Sequence, residues 1–363
     1  MLAVYLSLIY IIANSYLLIR LHRWLGTCNP LFRKTGICVA ISLAYVFLVA
    51  SLLIAFFLPI GPARRIMKLI SNYWLGILLY LILAVLMADA ICFLLFLITK
   101  RRLKCRTAAA GGICAMVVLV LSAWGAYNAR IIQVTPYEIT VNKDGGRLEN
   151  LNVVFAGDIF DNEYEALDDP EELIAVLQKI QSKHGVYACY GNHDVEEKIL
   201  AGFTFGGNKK KESSIQMDEF LERAGIHLLQ DEAVLIDDSF YLYGRPDAQR
   251  PGRGINMRKT AAELMGELDT EKPVIVIDHE PKELQELADA GVDIDLCGHT
   301  HDGQMFPANL ITALMWENSY GYLKKSEKGP YAYDCDFGCR AFWTEYACRY
   351  DCGNQPHHST FSI

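Results

Sequence analysis

The chain has 363 residues, of which 34 are Lys or Arg and 42 are Asp or Glu, for a formal net charge of −8. This length leaves room for two or three domains, and a hydrophobic share of 52% is high for a soluble protein. The sequence contains no basic stripe of the kind that binds nucleic acid, so no nucleic-acid partner is expected.

Charge is divided unevenly along the chain. Residues 1–130 hold 13 Lys and Arg and a single acid, Asp89, which gives +12. Residues 131–363 hold 21 Lys and Arg and 41 Asp and Glu, which gives −20. The two parts are therefore adapted to different surroundings.

The first part contains four long apolar runs, at Leu2–Ile19, Cys38–Ile60, Trp74–Thr99 and Thr107–Ala129. Each approaches or exceeds the ~20 residues that a helix needs to cross a bilayer. The first run lacks a basic leading segment and a small-residue cleavage site, which favours a retained helix over a signal peptide. The sequence thus predicts a membrane domain of four transmembrane helices over residues 1–130, with the lipid bilayer as its partner.

The loops between these runs predict an orientation. The first and third loops carry nine Lys and Arg, whereas the second carries three. Basic loops stay in the cytoplasm, so both termini and the acidic part are expected on the extracytoplasmic side of a multi-pass protein of the cell membrane. Asp89 lies inside the third run, and an acid within the membrane is a candidate functional residue. No base within the membrane is expected to pair with it, and a helix-contact role is supported at least as well.

Strands alternate with helices after the membrane part, which indicates an α/β layered domain. The predicted strands are 131–142 (exposed), LNVV with VFAG at 151–157, VYACY at 186–190, HLLQDEAVLI at 227–236, FYLYG at 240–244, PVIVI at 273–277 and VDIDLC at 292–297. The predicted helices are 168–184, 217–224, 259–268 and 283–290. An acid-rich first turn with an early proline, as in Asp169-Pro170, is typical of a helix start.

Four of these strands release His, Asp or Asn at their carboxyl ends. These side chains are Asp158, Asn192 with His193, His279, and His299 with His301. In open α/β sheets, ligands bind just beyond the carboxyl ends of the strands. Oxygen and imidazole ligands together suit a divalent cation, so the set predicts a metal site. Taken singly, each residue has a simpler explanation, since Asp158 could cap a helix and a lone His is more often a structural hydrogen bonder.

Arg245 and Arg258, between the second and third strand ends, are either phosphate contacts or part of a solvated face.

The motifs GDIFD at 157–161, GNHD at 191–194, DHEP at 278–281 and GHTHDGQ at 298–304 resemble those of the calcineurin-like metallophosphoesterases. The resemblance is to the membrane-associated branch, and it covers roughly Tyr137 to Lys325. It implies a four-layer αββα sandwich that holds two divalent metal ions, such as Mn, Fe or Zn, and hydrolyses a phosphate-ester substrate.

The resemblance also implies a role for each site residue. Asp158 would bridge both metals, and Asn192, His279 and His299 would complete the second metal. His301 would belong to the first metal. His193 would be the general acid that protonates the leaving oxygen, and Asp194 would orient it.

The sequence departs from the family pattern in two places. The D-x-H motif that opens the family pattern occurs nowhere in this chain, as though a segment were missing between Val154 and Phe155. The first metal would then keep only Asp158 and His301, so one metal is expected here and the sandwich is expected to be incomplete. After Lys325, the tail carries Cys335, Cys339, Cys348 and Cys352 and His357-His358. This tail is either a genuine segment, with zinc or disulfides, or the product of a reading-frame change.

The sequence thus predicts three parts, a membrane domain at 1–130, a phosphoesterase domain at 131–325 and an atypical Cys-rich tail at 326–363. The leading hypothesis is a membrane-anchored, metal-dependent phosphoesterase that is impaired by the loss of D-x-H. One alternative is a catalytically inactive relative that binds metal. Another is a membrane sensor or transporter with an appended domain, which would require an essential role for Asp89.

Overall fold

The computed structural model describes the following residues: 2–100, 108–128, 138–141, 143–145, 152–160, 162–167, 169–195, 199–200, 203–204, 214–252, 255–303, 306–325, 331–334, 348–355 and 358–362. The chain forms two compact units, one made of residues 1–128 with 199–204 and the other of residues 129–198 with 205–363. The domain boundaries drawn from the sequence at residues 130 and 325 stay predictions.

The first unit contains four long helices: α1 (Leu2–Cys28), α2 (Thr35–Phe57), α3 (Pro62–Thr99) and α4 (Ala108–Asn128). All four are long and apolar enough to cross a membrane, which confirms the four helices expected from the sequence. A short 3-10 helix at Pro30–Arg33 follows α1. α3 begins 12 residues before the predicted run, because a proline at its first position suits a helix start and its first turns are amphipathic rather than wholly apolar.

Asp89 has a basic partner, contrary to the expectation from the sequence. Arg20 Nη1 lies 2.6 Å from both carboxylate oxygens of Asp89, and the Tyr16 hydroxyl donates to the same carboxylate. The expectation failed because the first apolar run was ended at Ile19, whereas α1 continues to Cys28 and carries Arg20 inside the helix. The pair joins α1 to α3, so a helix-contact role for Asp89 has structural support.

The second unit contains the remaining elements. Its first helices are α5 (Pro170–Leu177) and α6 (Ile215–Ala224), and its later ones are α7 (Ala261–Gly266), α8 (Leu284–Ala290) and α9 (Ala308–Met315). Its strands are β1 (Glu138–Val141), β2 (Asn152–Ala156), β3 (Val186–Cys189), β6 (Ile226–Leu228), β7 (Glu232–Ile236), β8 (Phe240–Gly244), β9 (Val274–Ile277), β10 (Ile294–Cys297), β11 (Gly321–Lys324), β12 (Tyr331–Asp334), β13 (Cys348–Gln355) and β14 (His358–Ser362). The short strands β4 (Ile199–Leu200) and β5 (Phe203–Thr204) pair with each other and group with the first unit.

Two six-stranded sheets organise the second unit. The strand orders are β1-β14-β13-β2-β3-β6 and β11-β12-β10-β9-β8-β7. β2, β3 and β6 run parallel, as do β8, β9, β10 and β12. The strands that carry the site motifs, β2, β3, β9 and β10, lie in the interiors of these sheets.

Alternation along the strands explains the layers. In β2, Val154 and Ala156 pack into a core shared with the second sheet, whereas Val153 and Phe155 pack against α5 and α6. The outer face of β9 packs in the same way against α7 and α8. Strands buried on both faces are apolar throughout, as in VIVI of β9. The result is the four-layer αββα arrangement, which confirms the predicted fold class.

Several strand and helix boundaries in the structure differ from the predicted ones. Residues 138–141 form β1, but Ile139 and Val141 are buried rather than on an exposed strand; residues 131–137 lie outside the described part. α5 ends at Leu177 rather than near His184, because the segment after it turns back to enter β3.

The backbone of the tail contributes to both sheets. β12 runs parallel to β10, and β13 runs antiparallel to β2 with Cys348 opposite Val154. β2 itself is one continuous strand across Val154 and Phe155, in register with β3 on its other side. The edge of β2 opposite β3 is therefore covered by a tail strand.

Candidate metal centre

The site lies where β2, β3, β9 and β10 end. Asp158 follows β2, Asn192 and His193 follow β3, His279 follows β9, and His299 and His301 follow β10. Because β2 and β3 belong to one sheet and β9 and β10 to the other, the two facing sheets bring all four loops to one place. Asp158, Asn162, His299 and His301 have positive φ angles, a costly backbone state that clusters at functional sites.

Four donor atoms converge at the centre of this cluster. His279 Nε2 lies 2.9 Å from Asn192 Oδ1, 3.0 Å from His299 Nδ1 and 3.3 Å from Asp158 Oδ2. His299 Nδ1 also lies 2.8 Å from Asn192 Oδ1. These separations match those between neighbouring ligands of one cation, since ligands at ~2.1 Å and right angles lie ~3.0 Å apart. Within the described residues, Asp158, His279 and His299 are the grouped His and carboxylate donors that could hold a metal.

The tautomer of His279 supports a cation at this point. Its Nδ1 lies 2.9 Å from the carbonyl oxygen of Ala156, to which it can only donate. In the neutral ring, Nε2 then presents a lone pair to the other donors. A metal-ligating histidine is typically oriented by such a bond from its other nitrogen. Four lone pairs that face one another repel unless a cation or a proton lies among them, so the donor set fits a divalent metal.

The pKa shifts within the cluster also indicate a site for positive charge. Burial acts to raise the pKa of Asp158, but positive charge on His279 and hydrogen bonds from it hold that pKa well below its usual range. Burial lowers the pKa of His279, yet the Asp158 carboxylate more than offsets this and raises it to about 10. Burial and the charge on His279 lower the pKa of His299 to about 3. The cluster thus attracts one positive charge and holds it at His279 when that charge is a proton.

His301 lies beside this set rather than in it. Its Nε2 is 3.9 Å from Asp158 Oδ2, on the same carboxylate oxygen that faces His279. Asp158 Oδ2 therefore lies between the group formed by Asn192, His279 and His299 on one side and His301 on the other. The predicted assignment of His301 to a separate metal position stays a prediction.

His193 and Asp194 occupy different places in the loop after β3. The His193 ring nitrogen Nδ1 contacts Asn162 Oδ1, and the His193 backbone N–H donates to Asp158 Oδ1 at 2.8 Å. Asp194 is fully buried and accepts from the backbone N–H groups of Phe160 and Gly191, at 2.7 Å each. The contact that orients the His193 ring therefore comes from Asn162 and not from Asp194, which instead joins the loops after β2 and β3. Asn162 was missed, although it follows the GDIFD motif directly.

Two glycines make room for the donors. Gly157 has a φ of +83°, and a Cβ there would lie 2.5 Å from His279 Nδ1. A Cβ at Gly191 would lie 2.4 Å from Asp158 Oδ1 and 2.7 Å from His279 Cε1. The GD and GN pairs in the sequence are thus explained by close approach of the backbone to the donors.

A cavity of about 610 Å³ opens beside the cluster, and Asn192 and His299 form part of its wall. Arg250, Lys282 and Trp316 line it as well. Arg250 Nη1 donates to the Asn192 carbonyl oxygen at 3.2 Å, and Lys282 Nζ lies 5.1 Å from the centre of the Trp316 ring. Sequence reasoning missed these three residues. Lys282 could have been found from its position directly after DHEP, whereas nothing in the sequence marks Arg250 or Trp316.

Arg245 and Arg258 lie in the interior of the domain instead. Both guanidinium groups contact Asp278 and Glu283, and both residues are buried. Burial acts to lower the pKa of Arg258, but the carboxylates of Asp278 and Glu283 raise it overall. Neither expectation for these arginines was right, since they are neither phosphate contacts nor part of a solvated face. They fix the β9 loop that carries His279.

Comparison with known proteins assigns this part of the chain to a family. Residues 138–303 match the family model for calcineurin-like phosphoesterases. The chain therefore carries a calcineurin-like phosphoesterase domain, preceded by four long apolar helices.

Relatives share this domain. An uncharacterized metallophosphoesterase of Aquifex aeolicus is 30% identical over 49% of this chain and 61% of its own length. A similar protein of Helicobacter pylori is 26% identical over 48% of this chain and 42% of its own. A transmembrane protein with a metallophosphoesterase domain from Danio rerio is 27% identical over 48% of this chain and 38% of its own. The chain thus spans less than two thirds of the length of these relatives. No solved structure matches it.

Proposed function

We propose that the chain is a membrane-anchored, metal-dependent phosphoesterase with one complete metal position and a second, incomplete one. The observation that carries the proposal is the convergence of Asp158, Asn192, His279 and His299, whose donor atoms have the spacing of ligands around one cation. The complete position would use these four residues. The incomplete position would use Asp158 again, with His301.

A divalent cation bound there would neutralise phosphate charge and polarise the ester. The chain's own groups would do the rest. The cavity beside the cluster would hold the ester, and Arg250 in its wall would supply positive charge for the phosphate oxygens. Lys282 is paired with Glu280, and Asp247, Glu283 and Glu317 also line the wall, so the bound cation would have to supply most of the positive charge. His193, oriented by Asn162, would donate the proton that the leaving oxygen needs.

Turnover should be low compared with that of relatives that have D-x-H. Phosphoester hydrolysis depends mainly on positioning and charge neutralisation rather than on covalent work by the protein. A metal position that lacks two of its ligands supplies little of the positive charge that this neutralisation needs. The second candidate function, a metal-binding relative without catalysis, is favoured by the same absence of D-x-H from the sequence.

One set of measurements separates these functions: metal content and hydrolysis of an aryl phosphate ester by the full chain in detergent. His279→Ala should lower both, because it removes one of four ligands, and metal affinity should fall at least ~10-fold. His193→Ala should keep the metal and lose ~10²–10⁴ in turnover. The control His227→Ala alters an exposed histidine of β6 and should change neither.

Unchanged metal content in His279→Ala would contradict the proposed metal position. A wild-type chain that binds metal and hydrolyses no ester would establish the second candidate.

A further inference from the structure

α9 (Ala308–Met315) exposes its apolar side to solvent. Leu310, Ile311 and Leu314 are exposed, Leu314 by 89%, and the helix has no fully buried residue. Its polar residues are less exposed, since Asn309 Oδ1 is buried and Asn309 and Thr312 are both half-buried. This polarity is the reverse of that expected for a surface helix in water.

The exposed face continues beyond the helix on both sides. Phe306 precedes α9, Met315 ends it, and Tyr320 and Tyr322 follow, and all four are exposed. Aromatic residues beside an aliphatic face are typical of segments that lie at a membrane interface. We call Phe306, Leu310, Ile311, Leu314 and Met315 the α9 face.

Charge around the α9 face favours a lipid surface over other occupants. Residues 131–363 carry a net charge of −20, yet residues 303–316 contain no charged residue. The next nine residues, 317–325, contain one acid, Glu317, and two bases, Lys324 and Lys325. An anionic bilayer surface repels the rest of this domain but not this segment. The four helices of the first unit, long and apolar enough to cross a membrane, keep a bilayer within reach of the domain.

The α9 face is also continuous with the candidate site. Met315 and Trp316 line the cavity beside the metal cluster, and the Trp316 ring lies edge-on to His299 at 5.1 Å between ring centres. Resting on the proposed function, we infer that α9 docks on the bilayer surface and that the substrate is a lipid-borne phosphate ester. Its apolar tail would lie along the α9 face while its phosphate enters the cavity.

The docking half is tested with the full chain in vesicles of phosphatidylcholine and phosphatidylglycerol that contain a lipid with a photoreactive acyl chain. After illumination, peptide mapping should find lipid adducts on α9, with the four long helices as positive control and α6 as negative control. Leu314→Glu should lower the α9 adducts about tenfold, as expected for withdrawing a leucine from an apolar phase. The matched control Ile215→Glu alters another exposed apolar residue, at the start of α6, and should change nothing.

The substrate half uses two diesters with the same nitrophenyl leaving group, one with a methyl and one with a hexadecyl group. The wild type should prefer the hexadecyl ester in vesicles, and Leu314→Glu should lose about tenfold of that preference while its rate on the methyl ester is unchanged.

Absence of adducts on α9 while the long helices are labelled would overturn the inference. Equal rates on both esters would overturn the substrate class. Hydrolysis of neither diester, nor of the aryl phosphate ester, by the wild type would refute the proposed function instead, and the adducts would still decide docking.

Discussion

Single residues set the geometry of the candidate metal centre. Gly191 touches both Asp158 and His279 so closely that even a methyl group would collide with them. Both neighbours are donors whose positions are fixed, the half-buried Asp158 by the backbone N–H of His193 and the buried His279 by the carbonyl of Ala156. The site therefore depends on the lack of a Cβ at Gly191 as much as on the donor side chains.

Gly191→Ala should abolish metal binding, because a Cβ 2.4 Å from Asp158 Oδ1 must displace that carboxylate. Metal content of the purified chain is the measurement. Gly266→Ala is the matched control, since a Cβ there meets nothing within 4 Å, and full metal content is expected. A metal-replete Gly191→Ala protein would show that Asp158 is not a ligand.

Asp295 is a buried acid in the middle of β10. Its Oδ2 accepts from Cys297 Sγ at 3.1 Å, and its Oδ1 has no hydrogen-bond partner among the described residues. Burial, and then the negative charge of Asp278, raise the pKa of Asp295 to about 7. The folded state thus keeps a proton that the unfolded state releases near pH 4.

This difference predicts a pH-dependent effect of Asp295→Asn. Below about pH 4 both states are protonated and the substitution gains nothing. Between pH 4 and 7 the wild type loses stability as pH rises, and above pH 7 the loss is constant, on the order of a few kcal/mol. Asp295→Asn should therefore raise the unfolding temperature at pH 8 more than at pH 5. The exposed control Asp237→Asn should change the unfolding temperature by the same amount at pH 5 and at pH 8. If Asp295→Asn also changed it equally at the two pH values, the Asp295 carboxyl would be ionised at both.

At the scale of elements, the Arg20–Asp89 pair joins α1 to α3. The carboxylate accepts from Arg20 and from Tyr16, one turn earlier on α1. Both ionic side chains are partly exposed, by 22% and 39%, which moderates their contribution. An unpaired charge inside an apolar helix is nevertheless unfavourable.

Asp89→Asn should lower the free energy of unfolding of the helical unit by about 1 kcal/mol in a detergent titration, in line with polar contacts between membrane helices. Adding Arg20→Gln should recover part of this loss, because no unpaired charge remains. Strictly additive losses in the double variant would show that the two residues do not interact in the membrane.

At the scale of the whole molecule, the distribution of basic residues predicts which side of the membrane the phosphoesterase domain occupies. Of the nine Lys and Arg that the sequence assigned to the first and third loops, Arg20 and Arg23 lie inside α1. The other seven, against three in the first turns of α3, still favour an extracytoplasmic domain. A tag fused after Ile363 should then be removed by protease added to intact cells. A tag fused within the loop between α1 and α2 should be protected, and the opposite pattern would reverse the orientation.

Much of the architecture was accessible from the sequence because it depends on local patterns. Apolar runs of membrane length predicted the four helices, and strands apolar on both faces, such as VIVI of β9, predicted a covered sheet. The GD, GNHD, DHEP and GHTH motifs placed every donor at a strand end. Boundaries were less accurate where a polar residue lies inside an apolar helix, and ending the first run at Ile19 hid the partner of Asp89.

What the sequence determined by itself is the α/β class of the domain and the four long apolar helices, which follow from residue type and spacing. It also supplied the candidate donors, whose assigned roles rest on the motif resemblance and stay predictions. The tertiary structure alone decided which donors meet. It brought Asn162 rather than Asp194 to His193, buried Arg245 and Arg258 against Asp278, and turned the apolar side of α9 outward. These outcomes depend on contacts between residues far apart in the chain, whose distances are fixed only when two sheets pack face to face.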